Sequence, residues 1–155
     1  MAECGQIKNL KNKQEDKKIT EFQILSQFNS FLISNALYLA VFTFLLWMAF
    51  RGVIRLYENG GNLLNKILSS LFSLTVVYFN LQTLGFLYAN WQGTAYSLSQ
   101  LDELSPAAQS FVDFVGGGSL DGFSLIPADP VAIVFWAVVL ISLLVPTWTA
   151  PEPRE

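Results

Sequence analysis

Histidine is absent from the 155 residues, and the only cysteine is Cys4, in a polar N-terminal stretch. Those two absences remove haem ligation by histidine, a zinc site, a Cys-His nucleophile pair and a disulfide framework within one chain. No catalytic, cofactor-binding or metal-ligating residue is assigned, and no cofactor is expected. Charge is missing too, from whole stretches longer than a bilayer is thick. A soluble domain intersperses charges at helix or strand period; this chain gathers its apolar residues, 52% of the total, into three long runs.

Residues 1–21, MAECGQIKNLKNKQEDKKITE, mix lysines with acids and lack the apolar core of a secretory signal. Ala2 stands where N-myristoylation needs glycine. This stretch is expected to be a solvated tail.

The first apolar run is FLISNALYLAVFTFLLWMAF, residues 31–50, roughly 30 Å long as a helix. Thr20 and Glu21 offer a cap for a helix beginning earlier, and Gly60 and Gly61 offer a stop. The first transmembrane helix with its extensions is therefore placed at 22–57 and a short loop at 58–62. The second is placed at 63–90, uncharged after Lys66, and forms an antiparallel hairpin with the first. The third, 130–148, starts with Pro130 in its first turn and carries a stop signal at Pro146. Residues 149–155 form a C-terminal tail.

The connection 91–129 is long for a structureless loop. Leu98, Leu101 and Leu104, then Ala107, Ala108, Phe111 and Phe114, predict one or two short amphipathic helices at the membrane surface or folded over the bundle. Ser105 before Pro106 is a good N-cap and first-turn pair. The fold class is thus an all-α integral membrane protein with three transmembrane helices and a partly helical acidic loop between the second and third.

That loop has no Lys or Arg and five acids: Asp102, Glu103, Asp113, Asp121 and Asp129. The short loop is flanked by Arg51, Arg55 and Lys66, which favours a cytoplasmic turn and a long loop on the non-cytoplasmic side. Five tail lysines oppose this, but they stand farther from the apolar run.

Within the loop, FVGGGSLDG resembles a phosphate cradle only in its glycines. No lysine or preceding strand accompanies it, and acids surround it, so it reads as a hinge with no phosphate site. Asp113, Asp121 and Asp129 recur every eight residues, without the spacing or closing Glu of an EF-hand. They read as a solvated acidic surface.

No Asp, Glu, Lys or Arg sits at bilayer depth, which weighs against an autonomous pump. Uncharged polar groups do occur there. Asn29, Ser34 and Asn35 on the first helix, and Ser70, Ser73, Asn80, Gln82 and Thr83 on the second, are assigned to helix–helix or subunit contact. Ser70, Ser73, Asn80 and Thr83 fall near one stripe. Arg51, Arg55 and Lys66 are assigned to lipid headgroup anchoring.

Three short spans enclose little volume. The expected function is an accessory or structural subunit of a larger membrane complex, without catalysis of its own. The alternatives are a small homo-oligomeric channel or holin-like pore and a small helper subunit of a transporter. The expected partners are other membrane subunits, copies of this chain and the lipid bilayer, and not nucleic acid.

Overall fold

The computed structural model describes residues 20–120, 122–127 and 129–153. The tail expected at 1–21 lies almost wholly outside the described residues, as does Asp121. Among the described residues the chain is all-helical: α1 (Glu21–Asn59), α2 (Leu63–Ser99), α3 (Pro106–Val115) and α4 (Pro130–Thr149). Three of these, α1, α2 and α4, are long and apolar enough to cross a membrane.

Each helix starts where a side chain can satisfy its first free N–H groups. Thr20 and Gln23 form a capping box on α1: the Gln23 N–H donates to Thr20 Oγ1 at 3.3 Å, and the Thr20 N–H to Gln23 Oε1 at 3.0 Å. Asn62 Oδ1 accepts from the Asn65 N–H on α2. Ser105 caps α3 and Asp129 caps α4, each followed by proline in the first turn.

The hairpin of α1 and α2 is 39 and 37 residues long, roughly 58 and 55 Å, whereas α4 has 20 residues, roughly 30 Å. One short helix cannot cover such a hairpin, and two helices share the task. Trp136, Val139 and Leu143 of α4 pack on Ala49 and Val53 of α1 and Val77 of α2, in the half nearest the turn. At the far end Ala108 and Val112 of α3 pack on Ala95 and Leu98 of α2, with Ile24 and Leu25 of α1 beside them. The result is an apolar tier built by α1, α2 and α4 and an outer tier built by α1, α2 and α3.

Two helix ends differ from the sequence expectation. The second helix continues past residue 90 to Ser99. Residues 91–99 contain no proline and hold a buried face: Ala95 and Leu98 meet α3, while Trp91 stacks obliquely on Phe111 and Phe114. Of the loop's expected amphipathic segments, Leu98 therefore lies on α2, Leu101 and Leu104 in the connection, and the rest on α3. The last helix runs through Pro146 to Thr149. Proline there forgoes a single bond near the helix end, and Thr147 and Thr149 donate their hydroxyls to the Leu143 and Val145 carbonyls.

Gly116, Gly117 and Gly118 all have positive φ, of 113°, 70° and 79°. The Gly117 N–H returns to the Val112 carbonyl at 2.8 Å, closing α3. The triple glycine is thus a helix stop and reversal, the hinge its composition predicts. Beyond it, residues 122–127 come back against α2 at Gly85, where the Phe86 and Phe123 rings lie 4.9 Å apart.

A Cβ at Gly85 would stand 2.8 Å from the Phe123 ring and nearer still to the Ser124 carbonyl. Gly85→Ala improves helix propensity by about 1 kcal/mol but overpacks this contact by about 1–3 kcal/mol. We expect a lower melting temperature in detergent and faster proteolysis between Gly118 and Pro127. A raised melting temperature with unchanged proteolysis would show that the loop does not bear on α2.

Candidate functional site

The polar stripe of α2 faces into this chain's own bundle. Ser70, Ser73, Asn80 and Thr83 are all buried, Ser73 and Asn80 to 1% and 3% exposure. Asn80 links the two long helices in the apolar tier: its Nδ2 donates to the Phe42 carbonyl of α1 at 3.2 Å and to the Val76 carbonyl of its own helix at 2.9 Å. Phe42 lies near the middle of the apolar run 31–50, where a bilayer would offer the amide no acceptor in place of this carbonyl. Beside it the Phe42 and Phe79 rings stack, with centroids 5.4 Å apart and planes 6° from parallel. Thr83 donates to the Phe79 carbonyl at 2.8 Å. The hydroxyls of Ser70 and Ser73 are buried and meet no acceptor among the described residues; their small size lets the helices approach closely.

A second set of polar residues lies on the other side of α2. Packing against α4 uses Val77, Leu81 and Leu84, whereas Phe79, Gln82, Phe86 and Asn90 lie about half a turn round and open to the outside. With Ser34, Asn35, Tyr38 and Phe42 of α1 they line a groove of about 590 Å³, and Thr83 of the stripe lines it too. A further stretch of about 590 Å³ continues it into the outer tier, sharing Phe31 and Asn90. Asn35 is 8% exposed and makes no hydrogen bond to a described residue; nor do the Gln82 and Asn90 side-chain amides. Asn29 and Ser34 are exposed. The sequence expectation did not single out Asn90; its spacing from Gln82 and Phe86, two turns and one turn along one face, was the available signal.

Arg51 and Arg55 are exposed at the turn end of α1. Lys66, grouped with them in sequence, is half-buried and donates from Nζ to the Ala150 carbonyl at 2.6 Å. The Gly61 N–H donates to the Pro151 carbonyl at 2.9 Å. The residues after α4 are thereby fastened across the α1–α2 turn. Gly60, with φ of 77°, lets the Glu152 backbone come close where a side chain would intrude.

At the opposite end Glu21 joins α1 to α3. Its Oε2 accepts the Ser105 N–H at 2.9 Å and its Oε1 the Ser105 hydroxyl at 2.6 Å. Ser105 Oγ also accepts from the Ala108 N–H at 3.2 Å, so this carboxylate–hydroxyl pair is occupied in capping a helix. Hydrogen bonds from the Ser105 hydroxyl and then its N–H hold the Glu21 carboxyl below its ordinary pKa, against a smaller opposing effect of desolvation. Among the described residues no group of three or more His, Cys, Asp or Glu side chains converges as a metal site would require. These side chains are arranged to donate and accept hydrogen bonds between helices.

No protein-family model, curated protein or solved structure matches the chain.

Asn80→Leu removes the bridge to Phe42 while keeping bulk. The expected loss is about 0.6–1.7 kcal/mol, the range of such bonds in lipid, read as a lower unfolding midpoint in mixed micelles. No loss would mean that α1 and α2 are held by apolar packing alone. The Glu21–Ser105 latch has a defined pH sign. A carboxyl whose folded pKa is depressed contributes stability above its unfolded pKa, and that contribution is lost as pH falls through the folded value. The Ser105 amide resonance is expected to titrate with a midpoint below the usual Glu value of about 4.3, and Glu21→Gln is expected to abolish that step. A midpoint at or above 4.3 would contradict the latch.

Proposed function

We propose that this chain is a multi-pass integral membrane protein acting as an accessory or structural subunit of a larger membrane complex. It packs against neighbouring transmembrane helices and performs no chemistry itself. The observation that carries this reading is the inward direction of the α2 stripe. Asn80 and Thr83 find acceptors within one chain, and no charged residue lies in the apolar stretch of α1 at 31–50.

What α1 offers instead is surface. Only 6% of its most apolar window is buried, against 33% for α2, so α2 is the central helix and α1 the open flank. Ala36 and Ala40, one turn apart, are exposed on that flank among Ile33, Leu37 and Phe44. Small residues there let a neighbouring helix approach closely. Arg51 and Arg55 at the turn end support a cytoplasmic placement for the turn and the C-terminal residues fastened to it, with the acidic loop on the other side.

Extraction from the native membrane in mild detergent, sizing and mass spectrometry test the subunit role. The expected result is a larger particle with a fixed set of other proteins, which Ala40→Leu depletes while leaving the chain's own melting temperature in place. A particle of this chain alone in a ring-sized multiple would overturn the reading in favour of a pore.

A further inference from the structure

We propose that the open groove between α1 and α2 binds an uncharged glycolipid, with its sugar in the outer tier and its acyl chain in the apolar tier. The proposal rests on the membrane placement above but not on the presence of a larger complex.

The groove changes character along its length as such a molecule does. Its lower stretch, beside the run 31–50, has aromatic walls from Tyr38, Phe42, Phe79 and Phe86, with Tyr38 and Phe42 also stacked. Its upper stretch is lined by Gln27, Asn90, Thr94, Ser97 and Gln100, with Phe28 at one side. Gln27 and Gln100 lie outside the apolar run, at the level where headgroups stand. Each stretch has a volume of about 590 Å³, within the usual range of roughly 300–1,000 Å³ for small-molecule sites.

Asn35 points to a ligand. The residue is 8% exposed, lines the lower stretch and has no hydrogen-bond partner among the described residues. An amide that opens only onto lipid tails finds no partner in them, which is unfavourable. Gln82 lies across the same stretch and Asn90 at the junction with the upper one. All three carry both donors and acceptors, which suits the ester carbonyls and hydroxyls of a glycolipid.

The lining also discriminates between occupants. No Lys or Arg lines either stretch among the described residues, and Asp102 lines the upper one, so a phosphate headgroup would meet an acid and no cation. The bulky rings of Phe31, Phe42, Phe79 and Phe86 hold a partner helix away, whereas helix docking in lipid favours small residues. An acyl chain fits between rings that a helix about 10 Å wide would have to displace.

The test reconstitutes the full chain into phosphatidylcholine vesicles doped equally with monohexosyl diacylglycerol, diacylglycerol and phosphatidylglycerol. Vesicle flotation is followed by mild extraction and mass spectrometry of retained lipid. The hexosyl lipid is expected to be enriched over the other dopants. Asn35→Leu and Asn90→Leu are each expected to reduce the enrichment by about 3- to 30-fold, the equivalent of one hydrogen bond in lipid. Asn35→Leu removes an unpaired amide, so its fold is expected to survive, and melting of both variants verifies that. Equal retention of diacylglycerol, preference for phosphatidylglycerol, or folded variants with undiminished enrichment would each overturn the glycolipid site alone. Failure of the chain to float with vesicles would overturn the membrane placement as well.

Discussion

The governing constraint is a mismatch of lengths. A bilayer's hydrocarbon core is about 30 Å thick; α4 matches it, while α1 and α2 are nearly twice as long. On the membrane placement proposed above, the hairpin has to pass from one environment to another along its own axis. Near the turn it is covered by the apolar faces of α4, and beyond that by α3, a ten-residue helix with one acid, Asp113, on its open side. The two caps do not overlap: their cores centre on Val77 and Leu98 of α2 respectively. The loop between them has to reverse, run back along α2 and enter α4. The three positive-φ glycines and the bare backbone at Gly85 supply the reversal and the close approach that this path requires.

Within the apolar tier, hydrogen bonding does what charge does elsewhere. Helices in hydrocarbon gain little from mutual hydrophobicity, because their alternative surroundings are equally apolar. Position along the axis must then be fixed by shape and by groups that need partners. Asn80 fixes it by reaching the Phe42 carbonyl, and ring stacking between Phe42 and Phe79 repeats the same level. The two ends are set by different chemistry. A carboxylate accepts from Ser105 at one end, and a lysine together with the Gly61 N–H donates to the residues after α4 at the other. Sliding α1 against α2 by one turn would break the central bond, and it would also shift Glu21 and the turn against elements tied to α2.

Local signals in the sequence predicted local features well. Uncharged runs gave the three long apolar helices, Thr20 and Ser105-Pro106 stood at two helix starts, and the glycine triplet reversed the chain. What escaped was decided by groups far apart in sequence. Residues 91–99 read as loop because their apolar content is modest, yet Ala95 and Leu98 gain a partner in α3. Lys66 reads like its neighbours Arg51 and Arg55 until the chain returns, more than eighty residues later, with Ala150. The stripe of Ser70, Ser73, Asn80 and Thr83 was legible as a stripe. Its direction was not, because helical periodicity gives relative angles and is silent on what stands opposite.

That direction separates the polar residues of α2 into two functional sets. Asn80 has acceptors on both α1 and α2 and holds the two together, while Thr83 bonds within α2 and lines the groove as well. Gln82 and Asn90, on the side away from α4, share an open groove with Asn35 and have none among the described residues. A single helix thus uses one side for cohesion and leaves amides on the other, where none of the described residues satisfies them. Leucine in those positions would make an equally long and more apolar helix, so amides are not needed for spanning. On the reading proposed here, cohesion within the chain and recognition of its surroundings are carried by different faces of α2. Changes to the open face can then alter what binds while Asn80 and the α4 contact keep the bundle in register.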